Sequence, residues 1–261
     1  MLKKFFLFLK YSLKTIRIKF DKDYRISYIV TVHLRKHRAD NFLKDIVNGK
    51  SIAIVGNGPQ QIGKNTGNEI DSADIVIRFN EFEITGYEKD YGEKVDIWFV
   101  GGFGKYNKEY YFETAKKAKI IVCRTIAKNL KNMENINFRY KCICDESINL
   151  TLFPEEFSKK DFKDLLGNDI GPTTGALAIA YILLHLKPKS LKFYGFSFLD
   201  TPIKDINPHL AYHYYGELLN EKKYRAAIDL RRESECLLKL LQNKNNFSSL
   251  QHIPSSLLKM E

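Results

Sequence analysis

The sequence predicts one α/β domain whose mostly parallel sheet is covered by helices on both faces. Three observations carry that reading. Short β-branched runs recur along the chain, helical stretches separate them, and 44% hydrophobic with 28% charged residues suits one soluble core in 261 residues. Ser51–Gly56, Asp74–Asn80, Val95–Gly101, Lys119–Arg124 and Leu191–Phe196 read as buried strands, each an apolar run of strand length. Thr174–Leu186 reads as an apolar helix, and a longer helix is expected from about Asn220 to Gln242. Asn129–Lys163 has no period that assigns it. Ligands of parallel sheets bind at the carboxyl ends of the strands, so function is sought in the loops that follow these runs.

Residues 1–40 form a basic amphipathic segment ahead of a domain spanning 41–261. They hold eleven Lys and Arg against three acids, a surplus of eight out of a net charge of +11. Charge gathered at one end marks an appended segment, whereas nucleic-acid enzymes line a groove of the folded domain with it, so a nucleic-acid partner is not expected. The longest unbroken apolar run, Phe5–Leu9, is too short for a membrane span or a secretory core. Read as a helix, the segment sets Leu2, Phe5, Leu9, Leu13, Ile16 and Phe20 on one stripe and Lys3, Lys10, Lys14 and Arg17 on the other side. That pattern suits contact with a membrane surface, each cation contributing roughly 1 kcal/mol near an anionic leaflet. A helix packed on the domain, or on a partner, fits the same pattern. Cys123, Cys142, Cys144 and Cys236 lack zinc-site spacing, because Cys142-x-Cys144 has no second pair nearby; no metal is expected, and reduced thiols in a cytosol are.

The first strand runs into Gly56-Asn57-Gly58-Pro59, whose backbone N–H groups are candidates to cradle a phosphate or ribose. A dinucleotide fingerprint requires a third glycine where Gln61 stands. It also requires an acid where the second strand ends in Arg78-Phe79-Asn80, so a nicotinamide cofactor is disfavoured. Asn57 and Asn80 end two successive strands and would offer amide donors and acceptors to a pyrimidine or sugar. Asparagine also ends strands simply because it tolerates unusual backbone angles.

Gly171-Pro172-Thr173-Thr174-Gly175 opens the apolar helix with small hydroxylated residues, suited either to an anion or to ordinary capping. Tyr194-Gly195-Phe196-Ser197 ends the next strand, and a polar stretch then reaches His209 and His213-Tyr214-Tyr215. Histidine beside aromatic residues is a candidate proton carrier and wall for a sugar.

Together these pieces resemble glycosyltransferase family 29, the sialyltransferases. SIAIVGNGPQQIGKNTGNEIDSADIVIRFNEFEITGYEKDYGEKVDIWFVG is similar to the family's large motif, with GN after strand one, EIDS, R-x-N and G-x-E-x-D-x-G-x-K. GPTTGALAIAYILLHLKPKSLKFYGFSF is similar to the small motif, and His213-Tyr214-Tyr215 falls where the third is expected. The resemblance implies a Rossmann-like, GT-A-like fold and an inverting, metal-independent transfer of sialic acid from CMP-sialic acid to a sugar hydroxyl, the CMP-sugar being a substrate with no separate cofactor. It places Asn57 and Asn80 at the CMP moiety, Thr173, Thr174 and Gly175 at ribose and phosphate, and His213 at the departing phosphate; Gly58 and Gly195 are further candidates for binding the nucleotide.

Two departures matter. The family's fourth motif is a His, the general base, followed five residues later by Glu; Glu233 matches, but the His position is Ile228. Asp229 and His209 are the remaining candidates for the base. Vertebrate-type members also join the large and small motifs by a disulfide, and neither matching block here contains Cys. The expectation is therefore a bacterial-type cytoplasmic enzyme, held at the inner face of the membrane by residues 1–20, that acts on a lipooligosaccharide or capsular glycan. Alternatives are a transferase for another CMP-linked sugar, a nonulosonic acid or Kdo, and a catalytically silent nucleotide-sugar-binding subunit.

Overall fold

A computed structural model of the chain describes residues 12–101, 106, 108–126, 132–154, 173–196, 237, 240 and 250–251. Its centre is an entirely parallel sheet of β1 (Ser51–Val55), β2 (Ile75–Phe79), β3 (Ile97–Val100), β4 (Ile120–Cys123), β5 (Leu150–Leu152), β6 (Ser190–Tyr194) and the two-residue β7 (Leu250–Gln251). Strand order is β5-β4-β3-β2-β1-β6-β7. The chain winds outward from β1 to β5 and then crosses to the other side of β1, which makes the β1/β6 boundary the switch point of the sheet. All five strands expected from sequence are present.

Strand residues alternate between two cores, as the pleat requires. Ile52, Ile54, Ile77, Phe99, Val122 and Phe193 face the helix α7 (Thr174–His185) and α2 (Asp40–Val47). Ala53, Val55, Val76, Trp98, Ile121 and Tyr194 face the other layer, which holds α1 (Lys22–Lys36), α5 (Glu109–Lys117) and α6 (Met133–Cys144). The stretch that sequence left unassigned supplies α6 and β5. Asn135 and Arg139 stand among the buried positions of α6 and interrupt its apolar stripe, and β5 is only three residues long. Leu237 and Leu240 are helical; the rest of the helix expected over Asn220–Gln242 lies outside the described residues.

Residues 12–20 are helical, and α1 follows after Asp21, whose carboxylate accepts from the Tyr24 N–H at 2.9 Å. α1 lies within the N-terminal segment of the sequence reading, and its Ile26, Val30 and Leu34 are buried against α6 and β5. The preceding turn doubles back: Lys14 Nζ lies 4.5 Å from the Tyr28 ring centre and the Arg17 guanidinium 4.4 Å from that of Tyr24. Leu13, Ile16 and Phe20 remain 59%, 55% and 78% exposed. No helix among the described residues is long and apolar enough to cross a membrane.

A buried cation holds the loops around β1 and β2. Arg78, 1% exposed in the middle of the sheet, donates from Nε to the Lys94 carbonyl at 3.0 Å and from Nη2 to those of Tyr91 (2.7 Å) and Gly92 (2.9 Å). Those carbonyls belong to the turn after α4 (Glu88–Tyr91), where Gly92 has φ of +68° and lies too close to Asp71 for a side chain. Asp71, the last residue of α3 (Gly67–Asp71), accepts from the N–H groups of Glu93 and Lys94 at 2.9 and 3.0 Å. The acidic and glycine positions of the large motif thus build one clasp. Arg78→Met removes three charge-assisted bonds and strands buried carbonyls; it should lower unfolding free energy by about 3 kcal/mol in urea titration. A loss below about 1 kcal/mol would show that the clasp holds without it.

Candidate functional site

Five segments converge at the carboxyl edge of the sheet beside the switch point. At its centre the exits of β1 and β6 interlock. Gly56 and Gly58 donate to the carbonyls of Tyr194 (2.7 Å) and Gly195 (2.9 Å). Gly195 has φ of +66°, and a Cβ on it would lie 2.5 Å from the Gly56 carbonyl oxygen; one on Gly56 would lie 2.6 Å from that of Gly195. This corrects one expectation. The N–H groups of Gly56 and Gly58 are consumed by β6 and cannot cradle a phosphate; these glycines allow two strand exits to touch. Farther along the same loop, Tyr91 donates its hydroxyl to the Gly58 carbonyl at 2.6 Å, and Asp90 accepts from the N–H groups of Gly63 (2.8 Å) and Asn65 (2.9 Å).

The two asparagines sit where sequence placed them, and packing has divided their hydrogen-bonding capacity. Asn57 donates from Nδ2 to the carbonyls of Phe79 (3.0 Å) and Glu81 (2.7 Å), which flank Asn80. Asn80 accepts at Oδ1 from the Gly101 N–H at 2.8 Å. Because both partners of Asn57 are carbonyls and the partner of Asn80 is an N–H, the orientation of each carboxamide is fixed. Asn57 therefore keeps its Oδ1 acceptor, and Asn80 its Nδ2 donors, without a partner among the described residues. Asn80 also has φ of +51°, held by its N–H on the Phe99 carbonyl and by Trp98 Nε1 donating to its own carbonyl, both at 2.8 Å. Asparagine is among the few side-chain residues that accept that angle readily.

Thr173 caps α7, its Oγ1 accepting from the Ala176 N–H at 3.1 Å. Among the described residues the N–H groups of Thr174 and Gly175, at the positive end of a twelve-residue helix, have no partner. Gly101 joins this end to Asn80: a Cβ there would lie 2.8 Å from Asn80 Oδ1 and 3.2 Å from Thr174 Oγ1. Asn80, Thr174 and Gly101 thus meet at one spot. In the sequence Gly101 shows only as the end of a strand, and a glycine directly after an apolar strand is the one local signal of this close approach.

Beneath Gly101, α6 supplies two buried polar groups. Asn135 Nδ2 donates to the Gly101 carbonyl at 3.2 Å, and Arg139 donates to it from Nη2 at 3.0 Å while giving Nη1 to the Thr125 carbonyl at 2.7 Å. Burial holds the Tyr106 phenol and the Cys123 thiol nearby in their protonated forms, against the pull of the Arg139 charge. His209, His213 and Asp229, the candidates for phosphate contact and proton transfer, lie outside the described residues, as do Ile228 and Glu233.

A family model for glycosyltransferase family 29 (sialyltransferase) matches residues 16–245. Over 73 residues the chain is 32% identical to a Bos taurus beta-galactoside alpha-2,6-sialyltransferase 2, and over 53 residues 42% identical to a Rattus norvegicus CMP-N-acetylneuraminate-beta-1,4-galactoside alpha-2,3-sialyltransferase. These stretches are 28% and 20% of this chain, and only 15% and 14% of the length of those relatives. A crystal structure of a mammalian sialyltransferase with Gal-beta-1-3GalNAc-ortho-nitrophenol superposes with a TM-score of 0.45 and 18% identity, covering 79% of this chain and 83% of that one. With the family model spanning most of the sequence, the chain belongs to glycosyltransferase family 29, the sialyltransferase family.

Proposed function

We propose that the protein is an inverting glycosyltransferase that moves sialic acid from CMP-sialic acid to a glycan hydroxyl, without a metal. The observation that carries this reading is the divided pair of carboxamides: one fixed acceptor on Asn57 and fixed donors on Asn80, next to the N–H groups of Thr174 and Gly175, all unpartnered among the described residues. Cytosine and ribose offer donors and acceptors to such a pair, and a phosphate suits the helix N-terminus. In this reading the acceptor oxygen bonds to the anomeric carbon from the face opposite CMP as the carbon–oxygen bond to the phosphate breaks. The departing CMP is already an anion, so fixed N–H dipoles and a histidine suffice to stabilise it. His213 takes that role, and His209 or Asp229 accepts the proton of the attacking hydroxyl. One observation favours a second reading: isoleucine at 228, where the family carries its base, suits a silent CMP-sugar-binding subunit.

We place the enzyme in the cytoplasm at the inner face of a bacterial membrane, extending lipooligosaccharide or capsule. The solvent-facing stripe of Leu13, Ile16 and Phe20 supports this, as do six cations and no acid in residues 1–20. An anionic leaflet matches that charge, and its acyl layer matches the apolar stripe.

Three outcomes test these proposals. Isothermal titration should show CMP binding preferred over UDP, GDP and NADH and unchanged by EDTA, and CMP-sialic acid should turn over in preference to CMP-Kdo; binding of CMP with no turnover of any CMP-sugar favours the silent subunit. Asn80→Asp keeps the acceptor for Gly101 but loses the free donor, so CMP affinity should fall about tenfold or more with little change in melting temperature; Asn57→Asp should instead cost about 2 kcal/mol of stability, by turning a carboxylate on two carbonyls. The protein should sediment with phosphatidylglycerol vesicles and not with phosphatidylcholine ones, and a triple Leu13→Ser, Ile16→Ser, Phe20→Ser variant should stay in solution. Equal sedimentation of the variant sinks the membrane assignment.

A further inference from the structure

We infer that Arg139 is a positioning residue for Asn80, acting through Gly101; the inference rests on the nucleotide-site reading above. Arg139 is 0% exposed, on α6, a helix whose other buried positions include Ile136, Phe138 and Cys142. A guanidinium in such a place loses several kcal/mol of hydration, and an apolar side chain of similar size is often the more stable choice there. The hydrogen bonds of Arg139 indicate what offsets the cost. Its fork spans the exits of two adjacent strands, taking the Gly101 carbonyl after β3 at 3.0 Å and the Thr125 carbonyl after β4 at 2.7 Å. Asn135 adds a second donor to Gly101 at 3.2 Å. The Gly101 N–H, in the peptide plane whose Val100 carbonyl accepts from the Arg124 N–H at 2.9 Å, meets Asn80 Oδ1 at 2.8 Å, and the clamped carbonyl holds the next plane, on the other side of the Gly101 Cα.

That last bond keeps the Asn80 donors turned outward. Gly101 has no side chain to anchor it, and a Cβ would collide with Asn80 and crowd Thr174, so the residue depends on its peptide hydrogen bonds for its place. If the Gly101 carbonyl is released, rotation about the Gly101 Cα is restrained only from the Val100 side, and the N–H that orients the Asn80 carboxamide can shift. Lysine in place of Arg139 would preserve the charge but not the two-pronged reach across β3 and β4. The chain from Arg139 to Asn80 is thus geometric, and charge alone does not replace it.

The test is a double-mutant cycle on CMP affinity, read by titration at a temperature where every variant is folded. Arg139→Met and Asn80→Ala should each weaken CMP about tenfold, and the double variant should be little weaker than Asn80→Ala alone, because both changes remove the same contact. Arg139→Lys should recover melting temperature more than affinity, and Gly101→Ala, which leaves Arg139 in place, should repeat the affinity loss. If Arg139→Met does not fold, the lysine and alanine variants run the same cycle against Asn80→Ala. Independent, multiplying losses overturn the inference, as does an Arg139 variant that melts earlier but binds CMP normally. If Asn80→Ala itself leaves CMP affinity unchanged, the nucleotide-site reading fails and this inference falls with it.

Discussion

A guanidinium buried in the middle of a sheet must find acceptors that its own strand, already paired on both sides, cannot supply. Arg78 finds them in the turn after α4, and much of the carboxyl edge of the sheet follows from that need. Drawing residues 91–94 onto β2 brings Tyr91 beneath the loop after β1, where its hydroxyl holds the Gly58 carbonyl, and brings Asp90 to the N–H groups of Gly63 and Asn65. A long polar loop with little apolar surface of its own thereby acquires fixed hydrogen bonds. The cation is satisfied by carbonyl dipoles, and its contact with the Phe82 face, 5.4 Å from the ring centre, adds to them.

The same economy of backbone groups shapes the site itself. Buried N–H and C=O groups must be paired, so the N–H groups of Gly56 and Gly58 go to the carbonyls of the β6 exit, and the polar capacity unpartnered among the described residues lies on side chains. Asn57 and Asn80 then each give half of their carboxamide to the protein. Partial commitment has a physical advantage: an amide anchored at one end loses little further rotational freedom when the other end binds. Anchoring also assigns sign, an acceptor on one residue and donors on the other, which two free asparagines would not do.

The helical residues 12–20 leave their apolar stripe in solvent, and Arg17, itself exposed, also pairs with Asp21 at 3.2 Å. Lys14 and Arg17 lie over tyrosine rings of α1, while leucine, isoleucine and phenylalanine face outward. Cation–π contacts contribute about 0.5–1 kcal/mol each at exposed sites, enough to bias the orientation of a short helix. α1 itself is tied firmly to the domain, through His33 on the Leu150 carbonyl and the pairing of Arg38 with Leu152 at the sheet edge.

The sheet was legible because apolar strand runs buried on both faces carry their signal locally, and the motif residues were legible because they stand at strand ends. Asn57, Asn80 and Gly195 stand at such ends, whereas Thr173 and Thr174 open α7, where small hydroxylated residues ahead of an apolar run are the local signal. The acidic and glycine positions between them were read as motif letters, and only folding revealed a clasp around Arg78. Arg139 and Gly101 were not legible for the same reason: a polar residue within a helix and a glycine after a strand acquire meaning from partners 38 positions away. Composition and order of motifs determined the family and the edge of the sheet where chemistry is sought. Which half of each carboxamide remains available, and that the Gly56 and Gly58 N–H groups do not, was decided by tertiary structure, because hydrogen-bond capacity is allotted only when distant strand ends meet.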